Sequence, residues 1–154
     1  MIDIAYAEVP FLADRDLGCS DWMDVEQQQV DMFADAVADH QWIHVDPVKA
    51  ASGPYGGPIV HGYLALALFE PLWRSVLAVR GGRSGAMLTD KVRFLSPVRV
   101  GSRVRLAASV SSILATADGF RLTVAAQVEI QGMEKPALAV QCRRDVLRDD
   151  PIAS

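Results

Sequence analysis

"IVHGYLALALFEPLWRSVLAVR", residues 59–80, is the stretch whose reading decides the fold. Leu64, Leu66, Leu68, Leu72, Val76 and Val79 fall on nearly every face of a helix with about 3.6 residues per turn. A helix that is apolar all round has to be buried. One long buried helix is therefore expected over 59–80. Pro71 is expected to kink it, because proline has no N–H to donate to the preceding turn. "GGRSG" (81–85) is expected to end it. The greasiest part, "GYLALALFEPL", is too short to cross a bilayer and carries Glu70.

Past residue 85 the period changes from helical to two. "AMLTDKVRFLSPV" (86–98) reads as one strand. "SRVRLAASVSSI" (102–113) alternates Val104, Leu106, Ala108 and Val110 against Arg103, Arg105, Ala107 and Ser109. "FRLTVAAQVEI" (120–130) sets Leu122, Val124, Ala126, Val128 and Ile130 against Arg121, Thr123, Ala125, Gln127 and Glu129. "ALAVQCRRDVL" (137–147) is the last strand, and the tail after Leu147 is expected to fray. Strict alternation marks antiparallel strands buried on one face. Turns are expected at Val100-Gly101, Asp118-Gly119 and Gly132. A one-faced sheet needs a cover, and residues 59–80 are greasy enough to supply it. The expected architecture is α+β, an antiparallel sheet curled around one long central helix.

Composition sets the outer bounds. The 154 residues and 51% hydrophobic content suit a single domain, 1–154, with a real core. The net charge of −4 speaks against a nucleic-acid binder, which would show a basic face. Arginines gather in the second half, leaving room for a cationic rim facing an anionic ligand. Cys19 and Cys142 lie far apart with no CxxC spacing, as expected for free thiols in a reducing compartment. The start, "MIDIAYAEVPFLADRD", lacks a basic signal-peptide region. A cytoplasmic protein without a membrane segment is expected.

The first half reads helical. Asp24 with Gln27 resembles a capping box, and Val30, Phe33, Ala34 and Val37 form one apolar face of a helix ending near Ala38. Then comes "VADHQWIHVD" (37–46). Asp39 and His44 stand close in sequence, in a loop anchored by Trp42, Ile43 and Val45. A carboxylate beside an imidazole is a general acid/base pair, since histidine titrates near neutrality. His40 is expected to point to solvent. Asp46 before Pro47 reads as the N-cap of a short helical turn through Ala51. A metal site built from His40, His44 and His61 lacks supporting carboxylate spacing. "SGPYGGP" (52–58) is a turn-rich loop. In "PIVHGYL" (58–64), Gly62 would let a ligand oxygen approach the free N–H groups of a helix start, as an oxyanion or enolate requires.

These segments, in this order, resemble the MaoC-like dehydratases, the (R)-specific enoyl-CoA hydratase branch of the hotdog superfamily. The family's motif reads roughly D-x-N-P-x-H-x-D, then a Gly-rich segment, then P-I-x-H-G. Here it stands as "DHQWIHVD", "GPYGGP" and "PIVHGYL", followed by "KVRFLSPVRVGSRV". Gln41-Trp42 replaces the family's Asn-Pro and looks like a sub-branch with nodulation-protein-N-like members. The resemblance covers about residues 17–147. It implies a hotdog fold and reversible hydration of a trans-2-enoyl thioester to a (R)-3-hydroxyacyl thioester. It also implies Asp39 and His44 as the catalytic pair and the Gly62 N–H at the thioester carbonyl. Gln41, Trp42, Tyr55 and His61 are candidates for orienting substrate or lining its pocket. Lys91 and Arg93 are candidates for phosphate contacts. No cofactor is implied beyond a CoA or acyl-carrier thioester as substrate carrier, and a homodimer is expected. A hotdog thioesterase and a non-catalytic acyl-thioester-binding module are the competing readings.

Overall fold

In the computed structural model, which describes residues 1–149, the first half of the chain is a series of short elements and the second a run of long strands. Strand β1 spans Ile2–Ala5, and a 3-10 turn follows over Tyr6–Leu12. Strands β2 (Arg15–Cys19) and β3 (Met23–Asp24) come next. Helices α1 (Gln27–Val37), α2 (Trp42–Val45) and α3 (Pro47–Ala51) lead to α4 (Gly62–Ala67) and α5 (Phe69–Arg74). The rest is β4 (Leu77–Arg80), β5 (Gly82–Phe94), β6 (Arg103–Thr116), β7 (Gly119–Ile130) and β8 (Leu138–Arg148).

The main sheet is antiparallel in the order β2-β6-β7-β8-β5, with β3 also on β6. Its buried positions follow the alternation in the sequence. Val104, Leu106 and Val110 on β6, Leu122, Val124 and Val128 on β7, and Leu138 and Val140 on β8 are all at most 2% exposed. They pack in one core with Leu64 of α4, with Phe69, Leu72 and Trp73 of α5, and with Leu68 between the two helices. Each such side chain contributes roughly 1.5–3 kcal/mol when taken fully out of water. The sheet therefore wraps α4 and α5 because they offer its apolar face a cover.

The expected long helix over 59–80 is corrected in three places. Residues 59–61 are extended: Ile59 N–H donates to Ile43 O (2.9 Å) and Val60 N–H to Val98 O (2.8 Å). The helical part breaks at Leu68 between α4 and α5. Pro71 cannot donate to the carbonyl four residues back, that of Ala67, and α4 ends there. Residues 77–80 are strand β4, paired in parallel with β1 from Ile2↔Leu77 to Ala5↔Arg80. The glycines of 81–85 therefore do not end a helix. Gly81, at φ 73°, turns β4 into β5, which begins at Gly82 and stops at Phe94. The strand expected over 86–98 is displaced accordingly.

Other boundaries differ less. Helix α1 is capped by Glu26, whose N–H donates to Gln29 Oε1 (3.2 Å), while Asp24 belongs to β3. Val30 and Ala34 are buried, whereas Val37 is 51% exposed. Asp46 caps α3 as read, accepting from Lys49 N–H at 2.9 Å. The tail expected to fray is held as far as Asp149, whose N–H donates to Gly81 O (3.1 Å); residues 150–154 lie outside the described residues. Among the described residues no helix is long and apolar enough to cross a membrane. Strand β5 ends the sheet order, and no described strand pairs along its outer side.

Candidate active site

The site forms where the end of α1, the single turn α2 and the start of α4 meet. Helix α1 is stopped by Ala38, which takes a left-handed conformation (φ 57°). That conformation is unfavourable for a residue with a Cβ, and such strain gathers at functional sites. The turn sends Asp39 away from the helix axis, and its N–H still donates to Ala34 O (3.1 Å). Gln27 at the head of α1 donates from Nε2 to His44 O (2.8 Å), tying α2 to α1. The stretch read as a loop over 39–46 is thus one helical turn held at both ends.

His44 is 6% exposed. Its Nδ1 lies 2.6 Å from Ile59 O. A carbonyl only accepts, so Nδ1 carries the proton and Nε2 is left to exchange one with a molecule beside the ring. Asp39 is partly exposed, and its Oδ1 accepts from Gln41 Nε2 at 3.0 Å. That bond, with support from the Gln41 N–H and the nearby His61 and His44 rings, holds the Asp39 carboxyl below its ordinary value against the opposing effect of burial. Asp39 is therefore a carboxylate at neutral pH. Atoms of Asp39, His44 and His61 come within 4.8 Å of one another. The His44 and His61 rings are stacked, with centroids 3.8 Å apart and planes 23° apart. Imidazole lone pairs lie in the ring plane, so rings stacked face to face do not aim two nitrogens at one metal ion.

Gly62 heads α4, and the first N–H groups of a helix have no acceptor within it. A Cβ at Gly62 would sit 3.2 Å from the Phe94 ring, so the glycine allows that ring its close approach. His44 and Gly62 line the same hollow of about 310 Å³, with Tyr55, Ala65, Phe94 and Ala137 among its other walls. The structure thus brings the His44 ring and the start of α4 at Gly62 to one cavity. A larger hollow of about 440 Å³ lies elsewhere, lined by Asp16, Lys91, Arg93, Ser109, Gln127 and Gln141 among others. It contains none of the Asp39, His44 and Gly62 chemistry.

The remaining candidates sort by position. His40 is exposed and bonds Asp35 at 2.8 Å, away from the pair. Tyr55 reaches the cavity. Trp42 does not line it. Its ring rests on Gly53, where a Cβ would lie 2.9 Å away, and Lys49 Nζ sits 5.0 Å from a Trp42 ring centroid. Trp42 therefore braces the 52–58 loop, which Arg99 also holds by donating to Gly56 O (2.7 Å). Phe94 faces Gly62 and Val92 pairs with buried Val140, so Lys91 and Arg93 point from the other face of β5. The structure does not bring these two to the cavity. Two contributors were not legible in advance, the Ile59 carbonyl that orients His44 and the Phe94 wall. Both depend on pairings between distant segments.

The chain is similar to known proteins over most of its length. The family described as "MaoC like domain" matches residues 10–132. The chain is 42% identical over 137 residues to "3-hydroxyacyl-thioester dehydratase Z" of Mycobacterium tuberculosis, covering 88% of this chain and 91% of that protein. It is 41% identical over 148 residues to "Nodulation protein N" of Rhizobium meliloti, covering 90% and 88%. Among solved structures, the (R)-hydratase from A. caviae involved in PHA biosynthesis superposes with a TM-score of 0.64 at 26% identity, covering 89% of this chain and 96% of that one.

Proposed function

The chain belongs to the MaoC-like domain family, with the α+β hotdog fold, and on that footing we propose that it is a hydro-lyase. It reversibly hydrates a trans-2-enoyl thioester to a (R)-3-hydroxyacyl thioester. The observation that carries this reading is the meeting of His44 and Gly62 on one cavity with the Asp39 carboxylate beside them.

Each group has a step suited to it. Asp39 takes a proton from water as the water oxygen bonds carbon 3. The carbon 2–carbon 3 π electrons move toward the thioester carbonyl, whose oxygen gains negative charge. The Gly62 N–H stabilises that oxygen, as a preorganised donor should. His44, its Nδ1–H held by Ile59 O, accepts a hydrogen bond from the water at its bare Nε2. The proton taken from the water passes from Asp39, with Nε2 as relay, to carbon 2 on the same face, which restores the Asp39 carboxylate. Run backward, the same groups remove water from the 3-hydroxyacyl thioester. No cofactor takes part; CoA or an acyl-carrier protein is the substrate's own carrier.

The assembly is a homodimer joined along β5. That strand is 13 residues long, and its outer edge has no partner among the described strands, which calls for one from a second chain. Beside it Tyr63 and Phe94 are 73% and 51% exposed, with rings 5.9 Å apart. Light scattering at micromolar concentration is expected to give twice the chain mass, and a stable monomer refutes this part. The enzyme works in the cytoplasm. The activity is tested by assaying enoyl absorbance across trans-2-enoyl-CoA chain lengths, with chiral analysis of the product. Release of free thiol without loss of enoyl absorbance would instead identify a thioesterase.

A further inference from the structure

His61 is 4% exposed and sits at the contact of three elements. Its Nε2 lies 2.9 Å from the backbone carbonyl of Asp39. Its ring is stacked on His44 at 3.8 Å, and the Phe33 ring of α1 lies 5.1 Å away, tilted by 55°. Because the Asp39 carbonyl can only accept, Nε2 carries the proton. A ring carrying that one proton has a bare lone pair on Nδ1. That atom is buried and has no hydrogen-bond partner among the described residues. A side chain present for packing alone would not need an unmatched acceptor, which is costly to bury.

We propose that His61 is the positioning residue of the catalytic pair. Its Nε2–H clamps the Asp39 main chain, and its face sets the tilt of the His44 ring. The inference rests on the hydratase reading above and adds to it a residue that neither takes nor gives a proton. The clamp has a definite task. Ala38 holds a strained left-handed turn just before Asp39, and Asp39 is partly exposed, so the carboxylate has little packing of its own to keep it in place. A main-chain hydrogen bond from a buried ring supplies the missing restraint. The stack acts on the partner group, because His44 cannot rock about its Ile59 bond without leaving the His61 face. Both reacting groups are thereby referred to one rigid ring at the start of α4, the element that also presents Gly62.

The test separates this role from simple packing. Glutamine places its amide nitrogen where histidine has Nε2, and asparagine places it where histidine has Nδ1. His61→Leu and His61→Asn are each expected to lower kcat by roughly 10–100-fold with KM within about threefold, since misplacing reacting groups by about 1 Å costs that much. His61→Gln is expected to recover kcat to within about fivefold of wild type, because an amide N–H can replace the ring N–H. Equal kcat in the Gln and Leu proteins, or a change confined to KM, overturns the proposal. A ¹⁵N spectrum of the wild-type imidazoles tests it without any substitution. His61 is expected as the Nε2–H tautomer with a bare Nδ1, and an Nδ1–H tautomer overturns the clamp. The spectrum needs no turnover. A wild-type protein inactive toward every enoyl thioester would therefore refute the hydratase reading, while the tautomer still decides the clamp.

Discussion

Glu70→Gln is expected to destabilise the protein measurably, through the cation it abandons. Arg144 is 5% exposed, on the core side of β8 beneath α5. Its Nη1 and Nη2 donate to the two Glu70 carboxylate oxygens at 2.5 and 3.1 Å. Its guanidinium also lies 4.8 Å from the Trp73 ring and 5.6 Å from Phe69. Breaking a fully buried pair by removing one partner costs about 3–5 kcal/mol. The Glu70 side chain is 42% exposed, so water can replace part of what the carboxylate supplied. We therefore expect a loss of about 1–3 kcal/mol, which for a chain of this size lowers Tm by roughly 3–9 °C. Hydrogen bonding from Arg144, then its charge and that of Arg74, hold the Glu70 carboxyl below 4.5 in the folded state. A depressed folded-state value means the stabilisation is fully present above pH 4.5 and is lost as pH falls through the folded value. Thermal unfolding of wild type and Glu70→Gln should thus differ at pH 7 and converge in acid. A gap that is absent at pH 7, or that stays constant into acid, refutes the reasoning. Glu70→Gln combined with Arg144→Met should recover much of the loss, because no buried charge is then left alone.

Asp39→Asn and His44→Gln are each expected to slow crotonyl-CoA hydration at least a hundredfold while leaving the circular dichroism spectrum unchanged, the usual size of a lost acid/base partner being about 10²–10⁴; a folded variant of either kind at near wild-type kcat refutes the assignment. Ala38→Gly should raise Tm by roughly 1–4 °C, since glycine adopts the left-handed turn without the Cβ penalty and the gain is partly offset by greater freedom in the unfolded chain; a lower Tm would show that the turn is not strained. Native protein should bind thiol reagent at Cys19 and not at Cys142, because Cys19 is exposed whereas Cys142 is buried and its thiol is pushed up to about 11. Mass spectrometry should find one label per chain before denaturation and two after, and rapid native labelling of Cys142 would contradict that burial.

The sequence by itself determined what short-range pattern can encode. Alternation placed β6, β7 and β8 within a few residues of their observed ends and named the buried positions of β6 and β7 correctly. The pairing of Asp39 with His44, the cap at Asp46 and the solvent-facing His40 were also legible, because each depends on a handful of neighbouring residues. The long-range choices were not. Residues 77–80 are as apolar as a helix would want, yet they are strand because β1, more than seventy residues earlier, offers them a parallel partner. The short N-terminal strands β2 and β3 likewise exist only because the β6 edge is there to receive them. Within the site the division is the same. The Asp39 carboxylate and the His44 imidazole were visible in the chain. Which carbonyl orients His44, which ring walls Gly62, why Trp42 turns away from the cavity and what His61 holds were decided by tertiary structure. Each is a contact between segments whose meeting no local period reports, and a hydrogen bond or a stacked ring acts only at contact distance.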